Sequence, residues 1–110
     1  MNVVEFRHRG WWDKKVYAAL KKQGLIFCGQ SYPGLPDEVV STSATGYYRF
    51  HGIPRLYYSE YDIPYLRKIA DNMLQQKKWK NIYCYFNNTA ALGAIANARW
   101  IEQYVKKAQT

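Results

Sequence analysis

The sequence predicts an α/β domain: a parallel sheet of about four strands, joined by helices and polar on one face. Three observations carry this expectation. Short runs rich in β-branched and aromatic residues alternate with longer stretches of helical periodicity. No hairpin signal stands between successive short runs, so the strands cross over helices and lie parallel. Finally, three of the runs gather their polar side chains on one of two alternating faces, where a strand covered on both faces is apolar throughout.

The first strand is expected over residues 2–7, with Val3, Glu5 and Arg7 on one face and Val4 and Phe6 on the other. A helix over residues 11–23 follows, with Trp12, Val16, Ala19 and Leu20 inward and the lysines outward. Gly24 sits where a helix C-terminus favours glycine. Residues 25–29 form a short, almost wholly apolar strand, and residues 30–45 read as a long loop. The central strand is Gly46-Tyr47-Tyr48-Arg49-Phe50-His51-Gly52, with Tyr47, Arg49 and His51 opposite Tyr48 and Phe50. Asp62 is placed to cap the next helix, with Pro64 in its first turn and Leu66, Ile69, Ala70, Met73 and Leu74 inward. The fourth strand sets Tyr83, Tyr85 and Asn87 against Ile82, Cys84 and Phe86. Asn88 or Thr89 caps a last helix, whose Ala94, Ala98, Ile101 and Val105 face inward.

At 110 residues the chain is one domain, and 48% hydrophobic content supports a modest core. The net charge of +8 permits attraction to phosphate, nucleic acid or an acidic partner. Its lysines are spread over helix faces, however, so solvation explains most of them. Cys28 and Cys84 fall within strands, on faces read as apolar, as buried free thiols of a reducing compartment. No run is long and apolar enough to cross a bilayer, and a cytoplasmic location is expected. Neither a phosphate loop nor a dinucleotide glycine pattern occurs, which leaves any cofactor unknown.

Several motifs stand in a distinctive order: Val4-Glu5-Phe6-Arg7-His8 with Trp11-Trp12, Ser31-Tyr32-Pro33-Gly34, Arg49-Phe50-His51-Gly52, Tyr58-Ser59, and Phe86-Asn87-Asn88 with Gly93 and Asn97-Ala98. This series resembles the YecE-like family, also called domain of unknown function 72. The resemblance implies a TIM-type β/α barrel, which takes about 250 residues and eight strands. Residues 1–110 then read as a single partial domain, half of such a barrel, corresponding to the family's C-terminal half. About four strands and about three helices are expected. Thr89, Gln30 and Ile53 stand where the family often carries charge, so the barrel's mouth has lost some.

Ligands of such sheets sit beyond the carboxyl ends of the strands. Glu5 and His51 are the candidate acid–base pair. Arg7 and Arg49 are the candidate grips for a small anionic ligand, a phosphate or carboxylate. Tyr58, Tyr85 and Asn87 complete the candidate ligand-binding set. The same charges also suit a buried ion-pair network that fills the interior. His8, His51 and Glu5 lack any characteristic ligand spacing, and no metal is assigned.

Four parallel strands with helices on one side leave two bare edges and an open inner face, expected to expose Tyr47, Tyr83, Tyr85, Leu25 and Phe27. A homodimer, or a complementary half-barrel chain, is therefore the expected partner; an inactive fragment that needs its other half is the alternative. Nucleic acid is the lesser candidate partner, and no membrane is expected.

Overall fold

A computed structural model of the chain describes residues 1–54, 56, 61–88 and 93–108. Four strands, β1 (Val3–Val4), β2 (Ile26–Ser31), β3 (Thr45–Phe50) and β4 (Asn81–Phe86), form one sheet in the order β1-β2-β3-β4. All neighbours pair parallel. Three helices, α1 (Lys14–Lys22), α2 (Ile63–Leu74) and α3 (Gly93–Ala108), complete the α/β fold. None of the described helices is long and apolar enough to cross a membrane.

Local chemistry sets the boundaries. A 3-10 turn at Arg9–Trp11 interrupts the helix expected from residue 11, and Asp13 caps α1 by accepting from the Lys15 N–H at 2.7 Å. His8 caps that 3-10 turn, with Nδ1 accepting from the Gly10 N–H at 3.0 Å. Asp62 caps α2 as expected, with its Oδ1 2.9 Å from the Tyr65 N–H. Gly24 takes φ 70° just beyond α1, a conformation that glycine adopts without penalty.

The face turned toward the helices is dry. Tyr48, Phe50, Tyr61, Leu66, Ile69, Met73 and Ile101 form its main cluster. The Phe50 and Phe86 rings stack at 4.4 Å, and Tyr61 meets Phe50 edge-on at 5.3 Å. A second cluster gathers Leu20, Phe27 and Val40, with Trp12 edge-on to Phe27 at 5.3 Å. Full burial of each large apolar side chain contributes about 1.5–3 kcal/mol. Gly29 is required by close approach: a Cβ there would lie 2.6 Å from the Tyr48 ring.

Two expectations about faces are corrected. Leu25 and Phe27 belong to the helix-side cluster rather than the open face. Cys28 pairs laterally with Tyr47 and so shares its open, polar face. Lateral partners in a sheet point the same way, and this register, not the apolarity of residues 25–29, decides the matter. In α3, Ala94 and Ile101 are buried as expected, but Ala98 is exposed and Asn97 takes an inward place. The Asn97 amide bonds both backbone groups of Tyr61, accepting from its N–H and donating to its carbonyl at 3.2 Å each. That pairing makes a polar residue tolerable inside. The expected cap Thr89 lies outside the described residues.

Candidate functional site

The carboxyl ends of the strands bring four predicted residues together: Glu5, Arg7, Arg49 and His51. Glu5 is the hub. Its Oε2 lies 3.1 Å from Arg7 Nη1 and 3.0 Å from Arg49 Nη1. Its Oε1 lies 3.1 Å from His51 Nε2 and 3.3 Å from the same Arg49 nitrogen. Alternation explains the assembly. Glu5 and Arg7 lie two apart beyond β1, Arg49 lies on β3, and the backbone N–H of His51 continues the β2–β3 ladder by donating to the Ser31 carbonyl at 2.9 Å.

Burial raises the cost of charge on Glu5, but the His51 hydrogen bond and the Arg7 and Arg49 guanidinia overcome it and hold the carboxyl at about 2. Glu5 is therefore ionised at neutral pH and can only accept hydrogen bonds, so His51 Nε2 carries the proton between them. The His51 side chain is 1% exposed, whereas those of Arg7 and Arg49 are 44% and 33% exposed. The cluster grades from a buried imidazole to a solvent-facing guanidinium.

Residues not expected in the site complete its floor and wall. Gln30, fully buried, accepts from Arg7 Nη1 at 2.7 Å and donates through its amide nitrogen to the Phe6 carbonyl. Tyr32 is the wall: the Arg7 guanidinium lies 4.6 Å over its ring, and His51 meets that ring edge-on at 5.5 Å. The signal for Tyr32 lay in its place just past the end of β2, where ligands of parallel sheets collect. Cys28 Sγ lies 3.9 Å from Glu5 Oε1. Burial and the Glu5 carboxylate push its thiol up to about 12, so it stays protonated and inert near neutrality.

The remaining predicted residues stand apart from Glu5. Tyr85 is laterally paired with Arg49 and is 47% exposed, with its ring 5.3 Å from that of Tyr47. Asn87 follows β4 and is half-buried, with its backbone N–H donating to the Phe50 carbonyl at 2.7 Å. Tyr58 lies outside the described residues. Among the described residues no group of three or more His, Cys, Asp or Glu side chains is arranged to hold a metal.

A hydroxyl network braces the rim on the helix side. Tyr61 Oη accepts from the Gly52 N–H at 2.7 Å and lies 2.9 Å from Ser31 Oγ. Tyr65 Oη donates to Asp37 Oδ2 at 2.8 Å and lies 3.1 Å from the same serine oxygen. Gly52 takes φ 103°, which favours glycine and turns the chain sharply after His51. Beside the cluster a cleft of about 320 Å³ runs between the loops after β2 and β3, with Tyr32 in its wall. A larger concavity, about 760 Å³, lies at the opposite end of the sheet beside Lys21, Lys77 and Lys78. Size and chemistry thus point to different ends, and the convergent charges lie at the carboxyl end.

Residues 2–110 match the family model described as protein of unknown function DUF72. A DUF72 family protein from Thermotoga maritima MSB8 shares the fold, with a TM-score of 0.86 and 24% identity over 94% of this chain and 45% of its own. A DUF72 family protein from Enterococcus faecalis V583 is similar, with a TM-score of 0.84 and 16% identity over 94% of this chain and 46% of its own. The chain thus spans about half the length of the solved structures that it matches. Among curated proteins none matches the sequence.

Proposed function

The chain belongs to the DUF72 family of proteins of unknown function, and on that footing we propose that its rim cluster binds a small anion, a phosphate or a carboxylate, between Arg7 and Arg49. One observation carries the reading. Every ion pair and hydrogen bond described for the two guanidinium groups runs through Nη1. Both groups are partly exposed and share a single carboxylate, so two cations meet one anion and each keeps donors to spare. A planar, bidentate anion suits such donors. Tyr32 supplies a flat wall beside them, and Tyr85 and Asn87 border the same end of the sheet.

In this reading Glu5 and His51, the acid–base pair expected from the sequence, serve chiefly to position the arginines. A carboxylate held at about 2 takes up a proton poorly at neutral pH. The free Cys28 and Cys84 suit a reducing, cytoplasmic setting. Calorimetric titration with inorganic phosphate tests the proposal. Binding should weaken about tenfold or more in Arg49→Gln and in Arg7→Gln, the loss expected for one charge-assisted contact. Absence of binding to wild type, or affinity in both variants equal to that of wild type, would overturn it.

A second reading rests on the opposite end, where Lys21, Lys77 and Lys78 line the larger concavity beside Ser41 and Ser43. These side chains suit the phosphates of a nucleic acid. Fluorescence anisotropy across a salt series checks this, because phosphate-driven affinity must fall steeply as salt rises.

A further inference from the structure

We propose that the open face of the sheet docks a second copy of this chain, the two sheets meeting edge to edge about a twofold axis parallel to the strands. The proposal goes beyond the anion reading and does not depend on it. Three observations carry it. The molecule is a slab of 38 × 35 × 22 Å, and the two buried apolar clusters lie on one side of the sheet. Its accessible surface is 6996 Å², against about 6,300 Å² for a compact monomer of the same mass. That excess approaches the share of one partner in a standard interface, about 800 Å².

The surplus surface has the chemistry of an interface. Tyr47, Tyr83 and Tyr85 form a patch of rings on the open face, with centroids 5.3 and 6.2 Å apart and Tyr83 and Tyr85 41% and 47% exposed. Tyrosine is enriched in interfaces, where a large ring contacts the partner and a hydroxyl finds a hydrogen bond. The charges of this face are gathered at the rim and leave the tyrosine patch uncharged.

The edges select the symmetry. Among the described residues β1 and β4 each pair on one side only, so the sheet offers two unpaired edges. A twofold axis parallel to the strands preserves strand direction, and sets β4 of one copy beside β1 of the other in the parallel sense used throughout this sheet. It also turns both open faces inward. A second copy is the occupant because it brings the complementary edge, β1 for β4 and β4 for β1, together with a matching uncharged patch of tyrosine rings. Both carboxyl-end rims then lie at the same end, and the Arg7–Arg49 cluster of one copy faces that of its partner across the axis. The anion site becomes one that two copies share.

Sedimentation equilibrium of the purified chain should give twice the chain mass of 13.0 kDa. A Tyr83→Lys, Tyr85→Lys double variant should sediment as a monomer with unchanged far-UV circular dichroism. If that variant fails to fold, Tyr83→Ser with Tyr85→Ser replaces it, judged on the same result. Amides of β4 should gain hydrogen-exchange protection as protein concentration rises, and those of α2 should not. Arg49→Gln should remain dimeric, which separates this proposal from anion binding. A wild-type monomer at the highest soluble concentration, a folded double variant that stays dimeric, or β4 exchange that ignores concentration would overturn it. So would a monomer that pairs only with a different chain.

Discussion

Neighbouring residues of β3 live in different surroundings. Tyr48 and Phe50 point into the helix-side core and are almost wholly buried. Tyr47 and Arg49, one position away, point to the open face and stay partly exposed. The helix side is held by area removed from water and by ring packing, which are non-directional and collectively large. The open side is held at its rim by three charged or titratable groups around one carboxylate, where geometry and sign matter more than area. One strand with a period of two therefore serves two kinds of chemistry, and changes on its two faces should differ in kind as well as in size.

The largest effect is expected on the dry side. Phe50→Ala removes a ring that stacks on Phe86 and meets Tyr61, with no solvent to refill the space. Denaturant melts should show a loss of about 3–5 kcal/mol. A loss below about 1 kcal/mol, the size of a surface change, would erase the contrast between the faces.

Glu5→Ala comes next, at about 1–3 kcal/mol, below the range for a fully buried pair because both arginines reach water. It leaves the Arg7 and Arg49 guanidinia without the carboxylate that they share. Adding Arg49→Ala should cost less than the sum of the single losses, and additive losses would show that the two do not interact. The pH dependence follows from the lowered carboxyl. Its contribution is complete above the unfolded value near 4.5 and disappears as pH falls through about 2. Wild type should lose stability across that window more steeply than Glu5→Ala does.

Arg7→Gln should have the smallest effect on folding, about 0–1 kcal/mol by thermal melt, as its head is the most exposed of the cluster. A loss as large as that of Glu5→Ala would show that the rim is a structural ion-pair network in which every member counts equally.

The contrast between faces was legible in part. Alternation along residues 46–52 placed Tyr48 and Phe50 against Tyr47, Arg49 and His51, and the fold agrees. The short run at residues 25–29 was opaque, because an almost wholly apolar strand carries no alternation, and only its pairing with β3 sets Cys28 beside Glu5. Tyr32, Gln30 and Asn97 escaped for a related reason. Each is fixed by a partner far along the chain, Arg7 for the first two and Tyr61 for the last, and local periodicity is silent about such contacts. The half-barrel reading came from the order of motifs rather than from any single element, and the family match over residues 2–110 agrees with it.

The open face carries a preorganised charge cluster with Glu5 at its hub. Carbon-detected NMR of the Glu5 side-chain carboxyl, followed from neutral pH into acid, tests it most directly. A midpoint at about 2, moving upward in Arg49→Gln, is the expected result. A midpoint near the ordinary 4.5 that ignores the arginine substitution would show a solvated carboxylate without the cluster.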